Sequence, residues 1–173
     1  MTQNKRKLQL SVTVFLKYKN KYLFMQKNPD RWVDAGRING IGGKVESDEN
    51  FLTTALRETE EETGFKLIAA EMKFCGMLRL TGGYPQDWLV GFFAAEVDTQ
   101  DLPNGGNCPE GEFLWLTPEE LWKQEAELVD DLHYIFPNYI EAETPFFGFA
   151  QLNEQEKIEK IKLDQSCLEL VEK

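Results

Sequence analysis

Apolar and polar residues alternate from Leu8 to Leu16 (LQLSVTVFL), with β-branched residues prominent, which predicts a strand half-buried in a sheet. Lys21 to Gln26 (KYLFMQ) supplies its hairpin partner across a turn at Lys19-Asn20. Glu71 to Leu80 and Asp87 to Val97 predict two further strands, joined across Thr81 to Pro85, whose glycines suit a chain reversal. The second of these (WLVGFFAAEV) is apolar along most of its length, so it belongs in the middle of a sheet with both faces covered, or a few of its aromatics wall a pocket instead. Phe113 to Leu116 is a short strand, and FFGF near the end is the last one.

Helical periodicity begins at about Asp48 and runs to Thr63, with Leu52, Ala55, Leu56 and Thr59 as the stripe that faces a core. Ser47 or Asp48 is the expected N-cap, acidic residues fill the first turn, and Gly64 stops the helix. Thr117-Pro118-Glu119-Glu120 opens a short helix through Trp122 as a capping box with proline at the first helical position. An aromatic-lined helix follows Asp130-Asp131. In the tail, Asn153 to Lys173, Ile158, Ile161, Leu168 and Leu170 recur among charges as in an amphipathic helix belonging to the same unit as residues 1–152. Strands alternating with helices imply an α/β domain.

The densest chemistry lies on the first helix. Glu58, Glu61 and Glu62 fall beside its apolar stripe within an arc of roughly 100°, so three like charges converge. A hard cation relieves that repulsion, and carboxylate oxygens are the ligands Mg²⁺ prefers, with substrate phosphates completing its shell. Arg57 can brace the cluster as a fixed countercharge. A run of glutamates alone usually means a solvated acidic face; the flanking residues change that reading. Gly43, Glu49, Arg57-Glu58, Glu61-Glu62, Gly64 and Phe65 stand at the spacing Gx5Ex7REUxEExGU, so Gly43 to Phe65 closely resembles the Nudix box with every fixed position present. The one departure is Thr59, at an apolar position where a threonine methyl can still pack.

The resemblance implies a Nudix-type α/β/α sandwich, a mixed sheet between helices. It also implies that Glu58, Glu61 and Glu62 with the Gly43 carbonyl hold Mg²⁺, or Mn²⁺ as a substitute, and that Arg57 and Glu49 brace them. AGRINGIGGKVE is similar to the corresponding segment of the MutT-like hydrolases of oxidised purine nucleoside triphosphates, where an asparagine contacts the base; that position is Asn39, in a loop running from Asn28 to Ile41. Asn39-Gly40 also reads as a simple tight turn. In the same group a further glutamate from the long loop Asp98 to Pro109 reaches the metals, which points to Glu110, with Glu112 as its rival. Asp130 and Asp131 resemble the acid pair that binds the Watson–Crick edge of the base, and a shared proton would let such a pair both donate and accept. Two departures stand here: the stacking position holds aliphatic Leu128, and the spacing from Asp131 to Phe136 is longer by one residue.

Composition narrows the classes. The net charge of −11 argues against broad binding of nucleic acid or anionic membranes. Cys75, Cys108 and Cys167 are too scattered for a disulfide framework or zinc site, and His133 is the single histidine, which excludes a His-rich metal site. No signal-peptide pattern or membrane-length apolar run is present, so a cytoplasmic monomer or homodimer is expected. The activity expected is a magnesium-dependent pyrophosphohydrolase of purine nucleoside triphosphates, 8-oxo-dGTP among them, using Glu58, Glu61, Arg57 and Glu110 and yielding nucleoside monophosphate and pyrophosphate. The alternatives are a hydrolase of another nucleoside diphosphate-linked compound, a non-catalytic nucleotide-binding module, or an acidic scaffold.

Overall fold

The computed structural model describes residues 6–141 and 144–164. Strands β1 (Leu8–Tyr18), β2 (Lys21–Lys27) and β3 (Ile38–Asn39) precede helix α1 (Phe51–Thr63). Strands β4 (Lys73–Gly82), β5 (Asp87–Glu96) and β6 (Gly111–Leu116) follow, then α2 (Pro118–Trp122) and α3 (Leu132–Ile135), which continues as a π-helical turn over Phe136–Ile140. Strands β7 (Phe146–Leu152) and β8 (Ile158–Asp164) end the described chain.

The sheet runs β3-β2-β1-β5-β4-β7-β8, with β6 on the other edge of β2. It is mixed, because β1 pairs with β5 and β4 with β7 in parallel while the other pairs are antiparallel. The expected α/β sandwich is present. One face carries a core of Val14, Leu16, Leu23, Phe93 and other apolar residues under Ala55 of α1. The opposite face packs Phe15, Tyr22 and Phe24 beneath Leu132, Ile135 and Phe136. Phe136 is fully buried and meets all three aromatics at ring-centroid distances of 5.0 to 5.8 Å.

Several sequence expectations are corrected here. Strand β1 is not half-buried: Ser11 to Leu16 are buried without a break, since Val12, Val14 and Leu16 enter one core, Phe15 enters the other, and Ser11 and Thr13 lie against the cleft. Helix α1 begins at Phe51, because Asn50 caps it by accepting from the Thr53 N–H at 3.0 Å, and its first turn holds no acid. The buried face of α1 includes Ala55 and Thr59 as expected, joined by Thr54, Glu62 and Thr63, while Leu52 and Leu56 are only half-buried. The tail is not helical over Ile158–Asp164; it is β8, an antiparallel partner of β7. Leu168 and Leu170 lie outside the described residues.

Candidate active site

The segment from Gly40 to Val45 runs antiparallel to the N-terminal half of β1, with Val12 N–H donating to the Gly43 carbonyl at 2.9 Å and Val45 N–H to Leu10 O at 3.0 Å. Gly42 has φ +139°, and a Cβ there would stand 2.3 Å from Val12 O, so only glycine allows this approach. The corner brings Gly42 and Gly43 against α1. Gly42 N–H donates to Glu62 Oε2 at 2.9 Å, and the Glu58 carboxylate lies over the bare Cα of Gly43. One carbonyl lone pair of Gly43 serves β1, and the second is left over.

Arg57 organises the acids. Its guanidinium takes Glu49 as a fork, Nε to Oε1 at 2.7 Å and Nη2 to Oε2 at 2.9 Å, while Nη1 spans Glu58 at 2.9 Å and Glu61 at 3.1 Å. That pairing holds the Glu49 carboxyl down at about 2 and pushes the guanidinium further up. Glu58 and Glu62 turn inward. Burial raises both carboxyls, Glu62 up to about 8, and the charge of Glu110 adds to each. Glu61 is different: its side chain is 60% exposed and lies outside the cleft wall.

Glu110 reaches the same cleft from the loop before β6, held by Arg31 at 2.6 Å and Lys27 at 3.9 Å. Glu112, its rival, is exposed and does not line the cleft. Burial disfavours the charged form of Glu58 and of Glu62, and the charge of Glu110 acts on both, a situation that a divalent cation relieves. Among the described residues no three acidic, histidine or cysteine side chains are already gathered to hold a metal ion; Arg57 spans two of the acids.

The cleft encloses about 670 Å³ and runs from this corner to Asp131. Lys27, Arg31, Arg37 and Lys44 line it, four cations that a whole-chain charge count conceals. At the far end Asn39 donates to Asp34 at 3.2 Å and accepts from Gly40 N–H at 2.8 Å, so both ends of its amide have partners within the loop. Asp131 is half-buried and lines the cleft, with its carboxyl pushed up to about 7 by burial and then by the charge of Asp34. Asp130 lines the cleft too, and it takes Lys157 Nζ at 2.9 Å and Ile158 N–H at 2.7 Å, which ties the β7–β8 turn down. Leu128 is fully buried in the core under α3, so it cannot stack on a ligand.

Trp32, Tyr84 and Trp88 supply the aromatic surface of the cleft; sequence reasoning missed the first two and left the aromatics of the Trp88 strand between core and pocket wall. Trp32 is 62% exposed, an unusual position for tryptophan and the one signal that sequence could have yielded had the exposure of its loop been weighed. Tyr84 and Trp88 arrive through the β4–β5 hairpin, far from the box in sequence.

The cleft lies against the central strands β1, β5 and β4 of a mixed sheet between helices, with Glu58 and Glu110 in its wall, an α/β architecture. The chain belongs to the Nudix family: the family model described as NUDIX domain matches residues 7–139. Members of this family use divalent cations such as Mg²⁺ or Mn²⁺. The fold is similar to that of a MutT protein from Bacillus halodurans, at 20% identity and a TM-score of 0.73, covering 90% of this chain and 97% of that one. A MutT protein from Methanosarcina mazei Go1 is similar at 21% identity and a TM-score of 0.58, covering 73% and 88%. A bifunctional NMN adenylyltransferase/ADP ribose pyrophosphatase from Francisella tularensis, complexed with AMP and a manganese ion, is similar at 15% identity and a TM-score of 0.61, covering 81% of this chain and 42% of that one. At these identities the likeness is one of fold. Among the described residues, no helix is long and apolar enough to cross a membrane.

Proposed function

We propose that this protein is a divalent-metal-dependent pyrophosphohydrolase of purine nucleoside triphosphates, oxidised ones such as 8-oxo-dGTP included, releasing nucleoside monophosphate and pyrophosphate. The observation that carries this reading is the one cleft lined by Glu58, Glu110, Lys27, Arg31 and Lys44 around the box and by Asp131, Asn39 and Arg37 farther from it. Its two ends suit a triphosphate and a base. We further propose that residues 1–152 and the tail act as one unit.

Glu58, Glu62 and Glu110, with Glu61 and the Gly43 carbonyl as further donors, would hold the cation, which supplies charge neutralisation for the phosphates and acidification of water. Arg57 keeps Glu58 and Glu61 from drifting apart, and Glu49 keeps Arg57 in place. Arg31 and Lys27 position Glu110 and present positive charge to the phosphate chain. In the reaction a water oxygen bonds to phosphorus as the bridging P–O bond breaks. Pyrophosphate leaves with that electron pair, and the water proton passes to a carboxylate, Glu110 or one of the box glutamates.

The test is pyrophosphate release across normal and oxidised nucleoside triphosphates and nucleoside diphosphate sugars. Turnover of triphosphates that stops in excess EDTA is expected. A hundredfold higher kcat/KM for nucleotide sugars would overturn the substrate class, and activity persisting in chelator would overturn the metal.

A further inference from the structure

At the end of the cleft away from the box, three separate loops are knotted through one phenol. Tyr84 OH donates to Asp34 Oδ1 at 3.0 Å, and Glu156, from the β7–β8 turn, approaches the same hydroxyl. Asp34 and Glu156 are two of the three non-glycine residues with positive φ among the described residues, at 56° and 59°. Left-handed backbone at non-glycine positions persists where the surroundings hold it, and it clusters at binding sites. Burial raises the Tyr84 hydroxyl, and the charges of Asp34, Glu156 and Asp131 raise it further, so three acids face one small volume. Arg37, which lines the same cleft, is the cation that acts on Glu156.

A second observation is independent of the acids. Trp88 packs edge-on against Tyr84 at 6.2 Å and also lines the cleft. It is only 7% exposed, yet its Nε1–H has no acceptor among the described residues. Buried indole N–H groups are normally paired, so an unpaired one beside a cleft marks where a ligand acceptor belongs.

We propose that Trp88 and the Tyr84–Asp34–Glu156 knot beside Asp131 form the specificity-determining wall of this cleft: the acids accept from a neutral heteroaromatic ring edge rich in N–H and amine donors, Trp88 Nε1–H donates to the adjacent ring carbonyl, and rings that ionise to anions are rejected. The inference rests on the reading of the cleft as a nucleotide site, and it names which bases enter.

Equilibrium binding of free nucleosides to the metal-free protein, measured by calorimetry, tests the wall apart from the reaction. Guanosine carries both the donors and the carbonyl; xanthosine replaces the amine by a second carbonyl and ionises readily; 2-aminopurine riboside keeps the amine but lacks the carbonyl. Guanosine should bind about tenfold or more tighter than either, the effect of one or two lost hydrogen bonds. Glu156→Gln should narrow the guanosine–xanthosine gap, and Trp88→Phe should weaken guanosine while leaving 2-aminopurine riboside unchanged. The nucleoside comparison on the unaltered protein stands even if a variant fails to fold. Equal binding of guanosine and xanthosine, equal binding of guanosine and 2-aminopurine riboside, or no saturable guanosine binding at millimolar concentration overturns the wall. If nucleosides are discriminated and no triphosphate releases pyrophosphate, the reaction assignment fails and the wall stands.

Discussion

Replacing Gly43 by alanine is a sharp test of the box corner. A Cβ built on Gly43 stands 2.2 Å from Glu58 Oε1 and 2.6 Å from Glu58 Cδ, where ordinary contact begins at 3.4 Å. The carboxylate must therefore retreat by about 1 Å, and the backbone need not, because the clash is with the far end of a side chain. Arg57 Nη1 pins Glu58 at 2.9 Å, so the retreat also pulls on the guanidinium that holds Glu61. Stability should fall by only ~1 kcal/mol, at the lower end of overpacking costs. Activity is another matter, since a misplacement of about 1 Å can cost on the order of 10²-fold in rate. The assay is kcat/KM for magnesium-dependent pyrophosphate release beside a thermal melt of the same preparation. A Gly43→Ala protein that melts normally and turns over within about threefold of the parent would refute the placement of the chemistry at Glu58 over this glycine.

Arg57→Lys should fold and lose on the order of 10²-fold in kcat, because one ammonium cannot replace a fork on Glu49 together with bonds to Glu58 and Glu61; recovery of the parent kcat would count against the bracing role. Glu62 has its folded-state carboxyl raised to about 8 from 4.5, so between those values the folded protein keeps a proton that the unfolded chain releases, and metal-free stability falls as pH rises through that window. Urea titrations in EDTA at both ends of the window should differ by roughly 3–5 kcal/mol more for the parent than for Glu62→Gln, and identical slopes would refute the burial of that carboxyl. Phe136→Ala should destabilise by about 3–5 kcal/mol, since the ring is fully buried against three aromatics, and a chemical denaturation midpoint left unchanged would contradict that packing.

The box was legible because its chemistry imposes spacing: Glu49, just before α1, must reach Arg57, and Glu58 and Glu62 must share one face of that helix at a spacing of four. Glu110 was singled out through the family resemblance, counted back from the aromatic of the next strand, and it lines the cleft while its rival Glu112 does not. The helix start was misjudged because Ser47, Asp48 and Asn50 are all competent caps. A turn in which Glu49 N–H donates to Glu46 O at 3.2 Å uses up the first two. The tail misled for a specific reason. Leu152 pairs with Ile158 but Gln151 pairs with Lys160, so Glu159 is the extra residue of a bulge. The bulge shifts the inward phase from Ile158 to Ile161 and Leu163, and the resulting spacing of three imitates a helix. The far end of the cleft was illegible because Asp34, Tyr84 and Glu156 come from three loops, and nothing local in any of them announces the others.

The charge count and the cleft pull in opposite directions, and the difference sets a prediction about polymers. A chain of net charge −11 repels a polyanion on average, yet Lys27, Arg31 and Lys44 line the cleft beside the box. Two unit charges about 4 Å apart in water interact by roughly 1 kcal/mol, and at physiological salt the effect fades within about 8 Å. A mononucleotide therefore feels mainly the cleft, whereas an oligonucleotide with a 5′-triphosphate trails its phosphates across the acidic exterior. The oligonucleotide should show the lower kcat/KM at low ionic strength and gain on the mononucleotide as salt screens the exterior. The opposite pattern, a preference for the oligonucleotide that salt abolishes, is what a basic track for nucleic acid produces. Observing it would show that the substrate extends beyond the cleft and that the small-molecule reading is wrong.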